Sequence, residues 1–329
     1  MLFRSLIPLS VSRAETPTLP RADSVRVAEA FRLADVLGNR IWPRWDKAPF
    51  AVLLVTPEHE FLIRHPKPSD DFTLAGADAV LKQKVWFRKR KYPANFLATF
   101  PAVGGIPTIV IGQAENTEAK TSTRWVITLL HEHFHQLQYT QPGYYAAVDA
   151  LNLARGDLTG MWMLNYPFPY AKPEVKEHFS VMSKVLAEAL RATQEPDFSS
   201  KLTSYLAARK KFQSMLKADD YKYFAFQLWQ EGIARYTEYL LAKSAAAEFK
   251  PSKEFQGLTD YKSFKEVART IRSTIEKELV SVQLDKAKRT VVYNFGAAEA
   301  LLLDRAHPNW RKRYFENMLS LDEHFRSKN

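Results

Sequence analysis

Residues 121–139, TSTRWVITLLHEHFHQLQY, mark the point at which the character of this sequence changes. The hydroxyl side chains of 121–123 can cap the N-terminus of a helix. Apolar side chains then recur at the three- and four-residue spacing of one helix face. They are Trp125, Val126, Leu129, Leu130, Phe134 and Leu137. The stretch predicts a helix over 122–139, with strand-like sequence before it and helical sequence after it.

The sequence on either side of this helix predicts the fold class. Downstream, helical spacing predicts helices at 173–193, 197–216, 218–244, 261–281, 284–304 and 308–324. Upstream, one helix is predicted over 24–36. Strand-like runs separated by proline and glycine follow at 50–55, 60–64, 85–87, 96–100 and 107–112. The chain is therefore predicted to be α+β, with a small mixed sheet in the N-terminal part and a mostly helical C-terminal part.

The predicted helix over 122–139 carries a cluster of histidines with the spacing of a metal site. His131 and His135 are four residues apart, so about one helical turn brings both imidazoles to the same face. Glu132 lies about 100° round the helix, where it can reach a water on the ion without being a ligand. His133 points away from this face, so we interpret it as a packed residue. The alternative is a chance HExxH match on an ordinary helix.

A third metal ligand must come from elsewhere in the chain. There is no cysteine among the 329 residues, so a transition metal must rely on His, Asp and Glu. Glu231 opens an apolar helical pattern, and a carboxylate in such surroundings requires a partner or a metal. The alternative is an exposed Glu231 paired with Arg235 at i+4. Glu188 and Glu238 are the next candidates.

The motifs of this sequence resemble those of the gluzincin zinc peptidases, most closely the aminopeptidase N family and the related families that share its peptidase MA-like catalytic domain. The resemblance comes from HExxH at 131–135, WQEGIARY at 229–236 and YNFG at 293–296, in the family's order, within residues 95–305. It implies a zincin-type helical part with Glu231 as the third zinc ligand. It also implies that Tyr293 donates a hydrogen bond to the oxyanion. GQAEN at 112–116 is similar to the element that captures a free substrate amine.

The predicted function is a zinc-dependent peptidase with one zinc ion per chain. His131, His135 and Glu231 would hold the zinc, and Glu132 would act as the general base. The strand at 107–112 is expected to bind an extended peptide by edge pairing. Two alternatives remain. One is a zinc-binding scaffold or inhibitor without turnover. The other is a basic surface-binding or nucleic-acid-binding protein with an accidental HExxH.

Charge and composition say less about function. Hydrophobic residues make up 46% and charged residues 25%, which is typical of a folded globular protein. The net charge is +11, and its densest cluster is the basic stretch 82–91, around Trp86. We interpret this stretch as a solvated face and expect no nucleic-acid partner. The expected partner is a peptide or protein substrate, and the oligomeric state stays open.

The N-terminus resembles a short secretory signal. Arg4 precedes a brief apolar run, and residues 12–14 form a small-x-small cleavage site. Export and a cytoplasmic location stay equally open. No segment approaches the ~18 apolar residues of a membrane span. The predicted divisions are 1–20 for a leader and linker, 21–120 for the sheet-containing part and 121–329 for the helical part. The last two are also compatible with one catalytic unit over 21–329.

Overall fold

The N-terminal part is built on a six-stranded mixed sheet, seen in a computed structural model that describes residues 16–326. The leader-like residues 1–14 lie outside this range. The strands are β1 Val52–Val55, β2 His59–Ile63, β3 Thr73–Asp78, β4 Gln83–Lys89, β5 Leu97–Val103 and β6 Ile106–Gly112. Their order is β3-β4-β2-β1-β6-β5. β1 and β6 are parallel, and the other neighbours are antiparallel.

Helices dominate the rest of the molecule, which confirms the α+β prediction. They are α1 Arg21–Ile41, α2 Ser122–Tyr139, α3 Tyr144–Ala150, α4 Trp162–Asn165, α5 Pro173–Arg191, α6 Phe198–Met215, α7 Ala218–Gln227, α8 Ile233–Glu248, α9 Lys253–Gln256, α10 Phe264–Ser281, α11 Leu284–Ala287, α12 Val291–Ala306 and α13 Asp322–Arg326. The helix predicted over 122–139 is confirmed at both ends. None of the described helices has the length and apolar content of a membrane span.

Two predicted helices differ from the structure. The run 284–304 is broken between α11 and α12, where Lys288 adopts a left-handed φ of 48°. The run 308–324 forms only a short 3-10 turn at Trp310–Arg313 and then α13. Its helix-like aromatic spacing arises because Tyr314 packs against Trp229 and Trp42, with ring centres 4.7 Å and 5.0 Å apart. Tertiary contacts, rather than helix formation, explain that pattern.

Alternate side chains of the central strands face two different cores. Val52, Leu54 and Ile109 face the large core, which continues into α1, α2 and the C-terminal helices. Leu53 and Val110 face a small second cluster that includes Phe72. This alternation is the two-residue period of a β-strand. The sheet therefore serves as a platform on which α2 rests.

Backbone carbonyls of the sheet fix the position of α2. Trp125 Nε1 donates a hydrogen bond of 2.8 Å to the carbonyl of Gly112 at the end of β6. Gln136 Nε2 donates to the carbonyls of Ala51 and Pro107 at 3.0 Å and 2.8 Å. All three bonds are to main-chain atoms, so they position the helix independently of which side chains line the strands.

The edge of the sheet differs from the prediction. The strand at 107–112 corresponds to β6, which pairs with β1 on one side and β5 on the other. It therefore has no open edge for a peptide. β5 lies at the end of the sheet next to β6, so the edge on this side belongs to β5.

Candidate metal centre

Two imidazoles on α2 form the base of the site. The Nε2 atoms of His131 and His135 are 3.2 Å apart. Each ring is held at its other nitrogen, because His131 Nδ1 lies 2.8 Å from Glu238 Oε1 and His135 Nδ1 lies 2.7 Å from Gln138 Oε1. Such anchoring fixes ring orientation and leaves Nε2 as the ligand atom. The pair is therefore preset to share one ion.

Glu231 joins the two histidines from another helix. Its Oε2 lies 3.3 Å from His135 Nε2 and 3.7 Å from His131 Nε2. The ligand atoms of the three residues all lie within 4.8 Å of one another, and both histidines are buried. This group can hold a metal ion.

A π-helical segment, Leu228–Gly232, carries Glu231 between α7 and α8. A π-turn holds one more residue than an α-turn, which rotates the side chains that follow it, and such segments occur frequently at functional sites. The sequence predicts one uninterrupted helix over 218–244. The structure has helical backbone throughout this range, but the extra residue of the π-segment changes the direction in which the side chains from Glu231 onward point.

Two glycines allow a close crossing beside the site. A Cβ on Gly232 would lie 2.6 Å from the Cα of Gly296, and a Cβ on Gly296 would lie 2.7 Å from the Cα of Gly232. Both distances are far below van der Waals contact. The π-segment and α12 therefore touch backbone to backbone, and this contact brings Tyr293 of α12 to the site. Its ring centre lies 6.1 Å from that of His131.

The two alternative third ligands lie elsewhere. Glu238 contacts His131 at Nδ1, on the side away from His135, and its Oε2 lies 2.6 Å from Arg124 Nη1 and 2.7 Å from Arg235 Nη1. Glu188 is exposed on α5 and lies 3.2 Å from Lys201 Nζ. Of the three candidate carboxylates, only Glu231 reaches both Nε2 atoms.

The histidines and carboxylates of the cluster shift one another's pKa values. Burial lowers the pKa of His131, but Glu231, Glu238 and Glu132 raise it more, to about 9. Burial raises the pKa of Glu231, but His135 and His131 lower it more, to well below its usual range. Negative charge is thus concentrated around the imidazoles, an environment that favours a bound cation.

Glu132 lies beside the cluster without belonging to it. Its Oε2 accepts a hydrogen bond of 2.8 Å from Thr99 Oγ1, and the side chain is 5% exposed. Thr99 lies on β5, so the edge strand orients the carboxylate. Sequence analysis missed Thr99, because a threonine in a strand carries no signal for a helix 33 residues away.

Tyr293 remains a phenol at any ordinary pH. Burial and the carboxylate of Glu231 raise the pKa of Tyr293 far above its usual value, although Arg289 opposes this shift. The Arg289 guanidinium lies 5.5 Å from the Tyr293 ring centre, and its Nη1 lies 3.4 Å from Glu231 Oε1. Sequence analysis also missed Arg289, which neutralises part of the charge around the site.

A second tyrosine lies on the other side of the histidine pair. The ring of Tyr139 stacks on that of His135, with centres 6.1 Å apart and planes at 16°. Burial raises the pKa of Tyr139 well above its usual value, and the carboxylates of Glu231 and Glu132 add to the shift. Tyr139 lies one turn beyond His135, so helical spacing alone places it on the same face.

His133 faces the sheet side of α2, as its position on the helix predicts. Its ring stacks on Phe50 with centres 3.7 Å apart, and its Nδ1 lies 2.9 Å from Gln136 Oε1. Burial lowers the pKa of His133 to about 3, so the ring is neutral. It is a packed residue, in agreement with the prediction.

The GQAEN element forms a different kind of contact. Glu115 Oε2 lies 3.3 Å from Arg26 Nη1, and Gln113 Nε2 donates to Asp23 Oδ2 at 2.6 Å. Arg26 Nε also donates to Ser122 Oγ at 2.8 Å, at the first turn of α2. These contacts join α1 to the start of α2.

The basic stretch 82–91 lies mostly on β4. Arg88 Nε is 2.7 Å from Glu60 Oε2, and Arg88 Nη1 is 2.8 Å from Asp71 Oδ2. Lys91 Nζ is 2.6 Å from the same Asp71 oxygen. Part of the positive charge of this stretch is therefore neutralised within the sheet region.

No known protein family, curated protein or solved structure shows a significant match to this chain.

Proposed function

We propose that this chain is a zinc-dependent peptidase, in which His131, His135 and Glu231 hold the zinc. The observation that carries the proposal is the convergence of these three side chains. A buried histidine pair on one helix meets a carboxylate delivered by a π-segment across the intervening residues 136–230. An accidental HExxH requires no such partner. The order of the HExxH, EG and YxxG motifs supports a gluzincin-type site.

The donor set fits zinc. Zn–N and Zn–O bonds of about 2.0–2.1 Å in a tetrahedron place neighbouring ligand atoms about 3.3 Å apart. The three separations here are 3.2, 3.3 and 3.7 Å. Two neutral imidazoles and one carboxylate are ligands that zinc accepts, and the chain has no thiolate to compete.

The ligand count supports a catalytic site over a purely structural one. Structural zinc sites usually have four protein ligands, whereas catalytic sites have three and leave a position for water or substrate. The cluster identified among residues 16–326 has three members. When bound, zinc would supply Lewis-acid chemistry and lower the pKa of a bound water to about 7.

Glu132 is proposed to move the proton. As a general base it would take a proton from the attacking water and pass it to the leaving amine. Thr99 holds one carboxylate oxygen through its hydroxyl, which leaves the other oxygen for this exchange. The side chain is buried beside the histidines, and its orientation is fixed. Proton transfer within the site is therefore favoured over proton exchange with bulk water.

Tyr293 is proposed to stabilise charge on the substrate. As the peptide carbonyl becomes an oxyanion, a phenol can donate a hydrogen bond that strengthens with the developing charge. The raised pKa of Tyr293 keeps this proton in place. Arg289 lies against both Tyr293 and Glu231, so its positive charge also faces the site.

The edge strand β5 is proposed to align the substrate. An extended peptide can add to an open sheet edge through main-chain hydrogen bonds. β5 ends the sheet on this side, and its Thr99 contacts the proposed base. A peptide paired with β5 would therefore pass close to Glu132.

The test is hydrolysis of a mixed peptide library, read by mass spectrometry of the products, together with elemental analysis. We expect one zinc per chain, lost in the double variant His131→Ala/His135→Ala. Glu132→Gln should retain zinc and abolish cleavage. Stoichiometric zinc in the double variant would refute the ligand assignment. Zinc binding without any cleavage by the wild type would indicate the scaffold or inhibitor instead.

A further inference from the structure

A pocket of about 310 Å³ lies beside the metal centre, between the start of α2, α8 and α10. It is distinct from the ligand cluster, since neither histidine nor Glu231 lines it. Three cationic side chains line it, Arg124 of α2, Arg235 of α8 and Lys262 just before α10. Val267 and Ile271 add apolar wall. Cations in a partly apolar cavity interact more strongly with an anion than they would in water.

The cations of this pocket exceed the carboxylates that face them. Arg124 and Arg235 both direct Nη1 to the same oxygen of Glu238, while the other oxygen of that carboxylate bonds to His131. The third cation, Lys262, forms only a loose ion pair, because its Nζ lies 3.6 Å from the carboxylate of Glu266. Two carboxylates therefore serve three cations, which leaves one positive charge in excess.

The guanidiniums also have unused capacity for hydrogen bonding. The buried Nε of Arg235 has no hydrogen-bond partner among residues 16–326. Arg124 Nη1 forms a 2.6 Å ion pair with Glu238 Oε2. Burial lowers the pKa of Arg124, Glu238 opposes the shift and the charge of Arg235 adds to it. A further anion in the pocket would relieve the repulsion between the two guanidiniums.

We propose that this pocket binds a carboxylate, held by Arg235 and Arg124 with Lys262 at its rim. Guanidinium groups match the planar, two-oxygen geometry of a carboxylate better than they match a neutral group. The proposal does not rest on peptidase activity. The carboxylate can belong to a free small acid or to an acidic group of a bound peptide.

The position of the pocket relates it to the metal centre. Arg235 lies 5.7 Å from the ring centre of Tyr293, and the next residue, Asn294, lines the pocket. Arg235 also reaches His131 through Glu238. A carboxylate in the pocket would therefore lie on the Tyr293 side of the site, where it can fix one end of a substrate.

The first experiment measures binding of succinate and of its neutral analogue succinamide to the zinc-loaded protein by calorimetry. We expect succinate to bind and succinamide to bind at least about tenfold more weakly. Arg235→Gln should weaken succinate about ten- to a hundredfold, and Lys262→Gln about two- to fivefold, because Lys262 is half exposed. The matched control is Lys265→Gln, an exposed lysine on α10 outside the pocket, which should change nothing.

Some outcomes would overturn the proposal. Equal binding of succinate and succinamide would do so. Succinate affinity that is unchanged in both Arg235→Gln and Lys262→Gln would place the acid elsewhere, for example on the metal. Neither result depends on whether peptides are cleaved.

A second experiment distinguishes the two sources of the carboxylate. Cleaved peptides are compared in matched pairs, a C-terminal acid against its amide and a glutamate against a glutamine, by kcat/KM. A preference for the acid that falls about two- to fivefold in Lys262→Gln but is unchanged in Lys265→Gln assigns the pocket to substrate. Succinate binding without any such preference assigns it to a free acid. If no peptide is cleaved, the peptidase proposal fails and the succinate result still decides the pocket.

Discussion

Replacing Gly296 with alanine tests how the third ligand is positioned. The new Cβ would lie 2.7 Å from the Cα of Gly232 and 2.9 Å from the carbonyl oxygen of Leu228. Both are backbone atoms of the π-segment, so no flexible side chain can move aside. Carbon atoms pack at about 3.5–4.0 Å, and relief of the clash therefore requires α12 and the π-segment to separate by about 1 Å.

The expected effect is larger on zinc binding than on stability. Overpacking costs about 1–3 kcal/mol, and alanine recovers about 1 kcal/mol through its helix preference over glycine. The net loss of folding stability is thus up to about 2 kcal/mol. Metal-ligand distances tolerate only about 0.2 Å, so a shift of Glu231 by a sizeable part of 1 Å should weaken zinc about ten- to a hundredfold.

Gly38→Ala provides the matched control. Gly38 is also helical, in α1, but a Cβ there would meet only side-chain atoms of Trp45 at 3.6–3.7 Å, which is ordinary contact. This variant should gain at most about 1 kcal/mol and keep its zinc affinity. Zinc affinity is measured by chelator competition, and stability by urea unfolding of the metal-free protein. If Gly296→Ala behaves like Gly38→Ala in both measurements, the glycine crossing does not position Glu231.

Four further substitutions separate the roles around the metal. Glu231→Ala should weaken zinc more than any other single carboxylate change, because it removes a ligand; unchanged affinity in chelator competition would move the third ligand elsewhere. Glu238→Gln keeps the shape but removes the charge behind His131, and should weaken zinc about ten- to a hundredfold in the same assay. Tyr293→Phe should keep zinc and lower kcat about 10²–10³-fold on any cleaved peptide, so full activity would exclude it as the oxyanion donor. Thr99→Val should keep zinc and lower kcat about tenfold or more, since it frees the proposed base from its hydroxyl partner; an unchanged kcat would show that the partner is dispensable.

Local sequence was sufficient for the elements with strong periodicity. α2 spans the predicted residues 122–139, although the expected capping is not seen, because Thr121 makes no side-chain capping hydrogen bond. The strands predicted at 50–55 and 60–64 pair as β1 and β2. The break at Lys288 was not predictable, because a left-handed residue other than glycine gives no signal in the pattern. β3 was also missed. It is largely exposed, and it contains a bulge between Leu74 and Gly76, so its side chains do not alternate cleanly.

The site was predictable where its residues lie on one helix and less so where they lie far apart. The i, i+4 spacing places His131 and His135 together without reference to the rest of the chain. Glu231 required the family resemblance, because apolar spacing alone allowed an exposed carboxylate paired with Arg235. Glu231 is turned toward the histidines by the π-segment, which holds one more residue per turn than an α-helix. The sequence gives no sign of this extra residue, because it does not change the hydrophobic composition of the segment.

The burial of Glu132 bears on whether the site is catalytic. Glu132 is 5% exposed, and its carboxylate accepts a hydrogen bond from the neutral hydroxyl of Thr99. A buried carboxylate needs partners, and Glu132 has the hydroxyl of Thr99 and the nearby His131. The metal cluster of His131, His135 and Glu231 is complete without it, so a protein that only held the ion would not need a carboxylate at position 132. A general base, by contrast, must be an ionised carboxylate beside the ion. A carboxylate at position 132, close to the ligands and held by the edge strand, therefore supports the proposal of turnover over that of passive metal binding.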